Sequence, residues 1–150
     1  MSTPFWLFAC QGWHLAVYAA VMLGVDLLAV WAVLLPVREI ADRGAEVARC
    51  WRLTFFFGLI AQAVGIVGTL LFVLNGSADL VAGLRAAEYG SFDVFRIPLA
   101  GYLLGAAIMY PIGRFVTFAC VIEDDLTRRV AAALTAFVSA PWILLIPVSM

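Results

Sequence analysis

The sequence predicts an all-α integral membrane protein: a four-transmembrane-helix bundle built from two helical hairpins, with a short interfacial amphipathic helix. Composition is the first reason. Hydrophobic residues make up 65% of the 150 and charged residues 13%, whereas soluble domains run near 45–50% and ~25%. Mean hydropathy is +1.06. Distribution is the second reason, because the apolar residues gather in four stretches, about 13–37, 53–75, 97–122 and 130–147. Helices of about this length cross a ~30 Å hydrocarbon core at 1.5 Å per residue. No polar low-complexity linker divides the chain, so residues 1–150 read as a single domain. The net charge of −1 gives no reason to expect nucleic acid as a partner.

The first twelve residues carry no charged side chain, and neither a basic segment nor a small-residue cleavage site marks a secretory signal. Phe5, Trp6, Phe8 and Trp13 suit an aromatic belt at the mouth of the first span. Between Arg38 and Arg52, Glu39 and Arg43 are spaced i,i+4 and Glu46 and Arg49 i,i+3, which predicts a charged elbow, helical on both sides of Gly44. After the second span, Ser77 is the predicted N-cap of a short surface helix. Leu80, Val81 and Leu84 share its apolar face, and Gly90 is its C-terminal cap. Pro98 suits the first turn of the third span. Asp124 and Asp125 favour the start of the fourth helix, which is expected to kink near Pro141.

Orientation follows from arginine bias. Arg38, Arg43, Arg49, Arg52, Arg128 and Arg129 flank one side, against Arg85 and Arg96 on the other. Positively charged loops stay in the cytoplasm, so both termini are predicted outside it, in a multi-pass protein of the cell membrane.

The third stretch contains Arg114 and the first contains Asp26, the only carboxylate inside any of the four. Counted from the cytoplasmic end of each predicted span, Asp26, Gln62, Arg114 and Ser139 lie at one depth, roughly 14–16 Å in. An isolated charge near a helix centre costs about 2.5–3.5 kcal/mol, which favours an Asp26–Arg114 ion pair with Gln62 and Ser139 completing a polar layer. The competing arrangement has Arg114 snorkelling to the cytoplasmic face and Asp26 protonated against a backbone carbonyl. Given a pair, a structural role outweighs a transport role, since a paired charge holds register without moving anything.

Small residues recur at a spacing of three or four, as in Gly101 and Gly105, Gly58, Ala61, Gly65 and Gly68, Ala132, Ala136 and Ala140, and Ala16, Ala20 and Gly24. This spacing lets helix backbones approach closely. Gly24 lies about 200° around its helix from Asp26, so an inward Asp26 leaves the Ala16–Ala20–Gly24 ridge free for another subunit. His14 is the only histidine, which excludes bis-histidine haem within the chain. Cys10, Cys50 and Cys120 lack C-x-x-C spacing and read as small buried hydrophobes. Glu123, Asp124 and Asp125 could hold a cation, but helix capping explains them more simply. No nucleophile with a nearby base, metal cluster or phosphate loop is visible, so no catalysis, metal or cofactor is expected. The favoured function is a non-catalytic integral membrane subunit that packs in the lipid bilayer against larger membrane partners or a second copy. A small ion- or proton-coupled transporter or channel using the Asp26–Arg114 pair is the alternative. A quinone- or haem-associated redox subunit using His14 ranks third.

Overall fold

The computed structural model describes residues 3–4, 13–38, 40–85, 92–145 and 147–148. Its helices are α1 (Trp13–Leu34), α2 (Arg43–Leu74), α3 (Ala78–Arg85), α4 (Phe92–Ile112) and α5 (Asp125–Ser139). A π-helical turn, Gly113–Thr117, continues α4, and a 3₁₀ turn, Trp142–Leu145, follows α5. Thr3–Pro4 and Pro147–Val148 form a two-residue antiparallel ladder. Three helical segments are long and apolar enough to cross a membrane: Ala16–Leu34, Arg43–Leu74 and Phe92–Thr117.

Local chemistry sets the ends of these helices. Pro36 carries no N–H and ends α1, with Val37 N–H turning back to Leu34 O at 3.3 Å. Asp42 caps α2, its Oδ1 accepting from Ala45 N–H at 3.1 Å, and the Arg43 guanidinium closes the elbow on Val37 O at 3.1 Å. The elbow therefore differs from the predicted pair of helical pieces. The described residues between Leu34 and Arg43 are non-helical, and Gly44 lies in the first turn of α2. The Glu46–Arg49 pair forms at 3.9 Å, whereas Glu39 lies outside the described residues. At 32 residues and about 48 Å, α2 merges the charged segment and the second span into one helix.

α4 starts at Phe92, five residues before the predicted span, so Pro98 falls in its second turn rather than its first. Pro111 removes another backbone donor near the end. The following turn widens until Phe118 N–H reaches Gly113 O at 2.9 Å. The helical path ends at Thr117, short of the predicted Ile122. In α5, the Asp124 carboxylate accepts from Thr127 N–H at 2.7 Å. The predicted kink at Pro141 is a break, because α5 stops at Ser139.

α1 packs on α2 and α5, and α4 packs on the same two helices. Tyr18, Met22, Leu84, Val94, Ile97 and Leu144 form an apolar cluster toward one end. Leu84 brings α3 into this core, so the short helix is more than a surface element, and Gly83 lies against Val94. The Leu80 side chain and Gly90 lie outside the described residues. A second cluster, around Val30, Leu34, Cys50, Phe118 and Ile122, fills the end that carries the elbow.

The crossing of α2 and α4 is glycine on glycine. A Cβ at Gly65 would lie 2.7 Å from Gly101 O and 2.7 Å from the Pro141 ring. A Cβ at Gly101 would meet Thr69 Oγ1 and stand 2.7 Å from Gly65 O. At Gly105 it would run into the Pro141 ring and stand 3.2 Å from Ala61 O. The predicted Gly65, Gly101 and Gly105 packing is thus backbone to backbone. Gly105→Leu should lower the melting temperature in detergent sharply, by the equivalent of at least ~1–3 kcal/mol of overpacking. Leu103→Ile on an exposed face should change it little. Equal melting of Gly105→Leu and wild type would contradict the close crossing.

Candidate functional site: the polar layer where α5 ends

Three of the four residues predicted to share a layer meet. The Ser139 hydroxyl donates to Asp26 Oδ1 at 2.5 Å, tying α1 to the last residue of α5. The Gln62 amide of α2 donates from Nε2 to Ser139 O at 3.3 Å. Gly58, one turn before Gln62, leaves room for the carboxyl, since a Cβ there would stand 3.5 Å from Asp26 Oδ2 and 3.7 Å from Ser139 Cβ. All three polar side chains are buried: Asp26 at 1%, Gln62 at 4% and Ser139 at 0% exposure.

The reason for this convergence is the break in α5. A continuing helix would satisfy Phe137 O from the N–H of residue 141 and Ser139 O from residue 143. Residue 141 is proline and has no N–H, and the chain leaves the helix at Ala140. Side chains of neighbouring helices take both carbonyls. Tyr102 Oη donates to Phe137 O at 3.0 Å, and Gln62 takes Ser139 O. Trp142 N–H turns to Ala140 O at 2.7 Å, while its indole donates to Met22 Sδ at 3.0 Å.

Arg114 is elsewhere, and the predicted Asp26–Arg114 ion pair is not formed. Its guanidinium donates to Asp125 Oδ1 at 3.1 Å and Oδ2 at 3.4 Å, and stands 4.9 Å from the centroid of the Phe115 ring. Arg128 and Arg129 reach the same carboxylate at 3.2 and 2.6 Å. The physical reason is depth. With the helical path ending at Thr117, Arg114 lies within one turn of a helix end, and its long side chain extends to the polar rim. Its charge is met at the surface, so nothing draws it to Asp26.

Among the described residues, four buried hydroxyls without a hydrogen-bond partner, those of Tyr18, Thr54, Thr117 and Thr135, escaped the sequence reading. Thr54 Oγ1 on α2 and Thr135 Oγ1 on α5 are buried without a hydrogen-bond partner, as are Thr117 Oγ1 and Asp26 Oδ2. Thr54 precedes Gly58 by one turn and Thr135 precedes Ser139 by one turn, a spacing visible in the sequence once Gly58 and Ser139 are known to face Asp26. Cys50 is buried and donates to Thr117 O at 3.4 Å, whereas Cys120 is exposed, contrary to the prediction that the cysteines are buried. Cys10 and the His14 side chain lie outside the described residues. Among the described residues, no group of three or more His, Cys, Asp or Glu side chains converges as a metal site.

Searches against protein-family models, curated proteins and solved structures return no match to this chain.

The rim cluster makes a pH prediction. Hydrogen bonds from Thr127 hold the Asp124 carboxyl below the usual aspartate range. Hydrogen bonds from Arg128, Arg129 and Arg114 do the same for Asp125. Depressed folded-state values mean that this stabilisation is complete above the unfolded aspartate value, about 3.9, and disappears as pH falls through the lower folded values. Thermal stability in detergent should therefore drop below about pH 4 in wild type, with a smaller acid-dependent drop in Asp125→Asn. Identical acid profiles would show that the three arginines do not favour the ionised Asp125.

Proposed function

We propose that the chain is a non-catalytic integral membrane subunit that crosses the bilayer four times and packs against other membrane subunits or a second copy. In this topology α5 and the 142–145 turn together make the fourth crossing. The two helical hairpins place the arginine-rich ends in the cytoplasm and both termini outside.

One observation carries the assembly reading: the face of α1 opposite the polar layer is open. A Cβ on Gly24 would meet nothing within 4 Å, and Ala16 and Ala20, on the same ridge, are exposed. Gly58, Gly65, Gly101 and Gly105, by contrast, are each backed by atoms of a neighbouring helix. A shallow ridge of this kind admits a partner helix at short distance. Its separation from Asp26 lets a partner dock without disturbing the interior. The transporter alternative based on Asp26–Arg114 loses its defining contact, because Arg114 binds Asp125.

Affinity purification in mild detergent, combined with impermeant labelling of a cysteine placed at position 46, tests assembly and topology together. Wild type should co-purify with a stoichiometric membrane partner or a second copy, and position 46 should resist labelling from outside the cell. Gly24→Leu should keep the melting temperature of the isolated chain and lose the partner. Purification of wild type as a monomer, or partner retention in Gly24→Leu, would contradict the assembly reading. Ready labelling from outside would contradict the orientation.

A further inference from the structure

Asp26 has chemistry that the assembly role does not use. It lies midway along the apolar segment Ala16–Leu34, is 1% exposed, and has one oxygen bound to Ser139 and the other without a partner. We propose that Asp26 is a proton-binding site inside the helix assembly, loaded from the end that carries Arg114 and Asp125 through the hydroxyls of Thr117, Thr54 and Thr135.

Three features favour a bound proton as the neutralising charge. First, no described salt bridge reaches Asp26, and the charges of the helices packed around it sit at helix ends. Those of α2 are Arg43, Glu46, Arg49 and Arg52, those of α4 are Asp93 and Arg96, and those of α5 are Asp125, Arg128 and Arg129. Among the described side chains, the remaining titratable groups on these elements are Tyr18, two turns along α1, Cys50 on α2, Tyr102 and Tyr110 on α4, Arg114 in the turn that continues α4, and Asp79 at the exposed start of α3. A bare carboxylate in an apolar interior is costly. Second, the end of α5, where the helix dipole is negative, lies against the carboxyl and disfavours a second negative charge there. Third, the oxygens shown together are the two of Asp26 and the Ser139 hydroxyl, with Ser139 O already accepting from Gln62. A hard metal cation takes about six oxygens, whereas a proton needs one donor and one acceptor.

The site can exchange a proton with little movement. In the ionised state the Ser139 hydroxyl donates to Asp26 Oδ1. When one proton is taken up from water, the carboxyl changes from −1 to neutral and its own O–H donates to Ser139 Oγ. The Ser139 hydrogen then turns to a carbonyl one turn back, as helical serines do. Release reverses these changes and returns the proton to water.

The route is the series of orphan hydroxyls. Thr54 and Thr135 lie one turn, about 5–6 Å, from Gly58 and Ser139 in the direction of the Arg114 end. Cys50 is one turn further along α2 and bonds the backbone of Thr117, whose hydroxyl is also buried and unpaired. Toward the other end the Tyr18 hydroxyl, two turns away along α1, is the only buried unpaired hydroxyl among the described residues, and Met22 between it and Asp26 is fully buried with its sulfur engaged by Trp142.

Infrared difference spectroscopy of the full chain in lipid bilayers tests the site, because a protonated carboxylic acid has a C=O stretch that the carboxylate lacks. Wild type should show this band at low pH and lose it as pH rises, and Asp26→Asn should lack it at every pH. Ser139→Ala should keep the band but shift its frequency, since the hydrogen-bond partner of the acid is removed. No titrating band in wild type between about pH 4 and 10 would overturn the site. After a pH jump imposed from the Arg114 side, the Thr54→Val/Thr135→Val variant should change its band more slowly than wild type. An unchanged response would overturn the route.

Discussion

The constraint on which the structure turns is the unfinished end of α5. A helix that stops against an apolar protein interior leaves carbonyls without partners, and each would cost several kcal/mol if left bare. Pro141 enforces the stop. Gln62 and Tyr102, from α2 and α4, supply the missing donors, while Ser139 at the very end takes Asp26 of α1 as its partner. One break therefore draws side chains from three other helices to one place. The depth of Asp26 and the burial of Gln62 both follow from it.

The same proline organises the apolar packing. Its ring lies against Gly65 and Gly105, and the α2–α4 crossing is close because neither glycine carries a Cβ. Gly101 sits beside the fully buried Thr69, which returns its hydroxyl to Gly65 O at 2.9 Å instead of leaving it unpaired in the interior. The two end clusters then close around the layer, with Met22 and Leu144 on one side and Val30 and Phe118 on the other. Polar interactions set register, and glycine contacts set distance. The rim arginines close the far end through the single carboxylate of Asp125.

Much of this was legible in the sequence. Apolar length marked four spans, of which three are helices long and apolar enough to cross a membrane. In the fourth, about 130–147, the helix stops at Ser139. Glycine spacing identified the ridge that α2 and α4 share. Counting depth along each span grouped Asp26, Gln62 and Ser139, and the structure links them through the Ser139–Asp26 and Gln62–Ser139 hydrogen bonds. The same count misplaced Arg114 because it assumed a regular helix to residue 122. A π turn after Pro111, which hydropathy does not report, ends the path at Thr117 and moves the guanidinium to the rim. Pro141 was read as a kink because apolar sequence continues to Pro147. Whether a proline bends or stops a helix depends on tertiary partners for the freed carbonyls, and those partners are not adjacent in sequence. The long α2 was divided at its charged start, although the Asp42 cap fixes that start at Arg43. The orphan threonines gave no signal until their neighbours were placed.

The central claim is that Asp26 is held by the end of α5 and has no arginine partner. A pair of double-mutant cycles on thermal stability tests it most directly, one combining Asp26→Asn with Ser139→Ala and the other combining Asp26→Asn with Arg114→Gln. The first pair should show a coupling of about 1–3 kcal/mol, because the two side chains share a buried hydrogen bond. The second should be additive to within about 0.5 kcal/mol. Strong coupling between Asp26 and Arg114, with additivity between Asp26 and Ser139, would contradict this account and restore the ion pair.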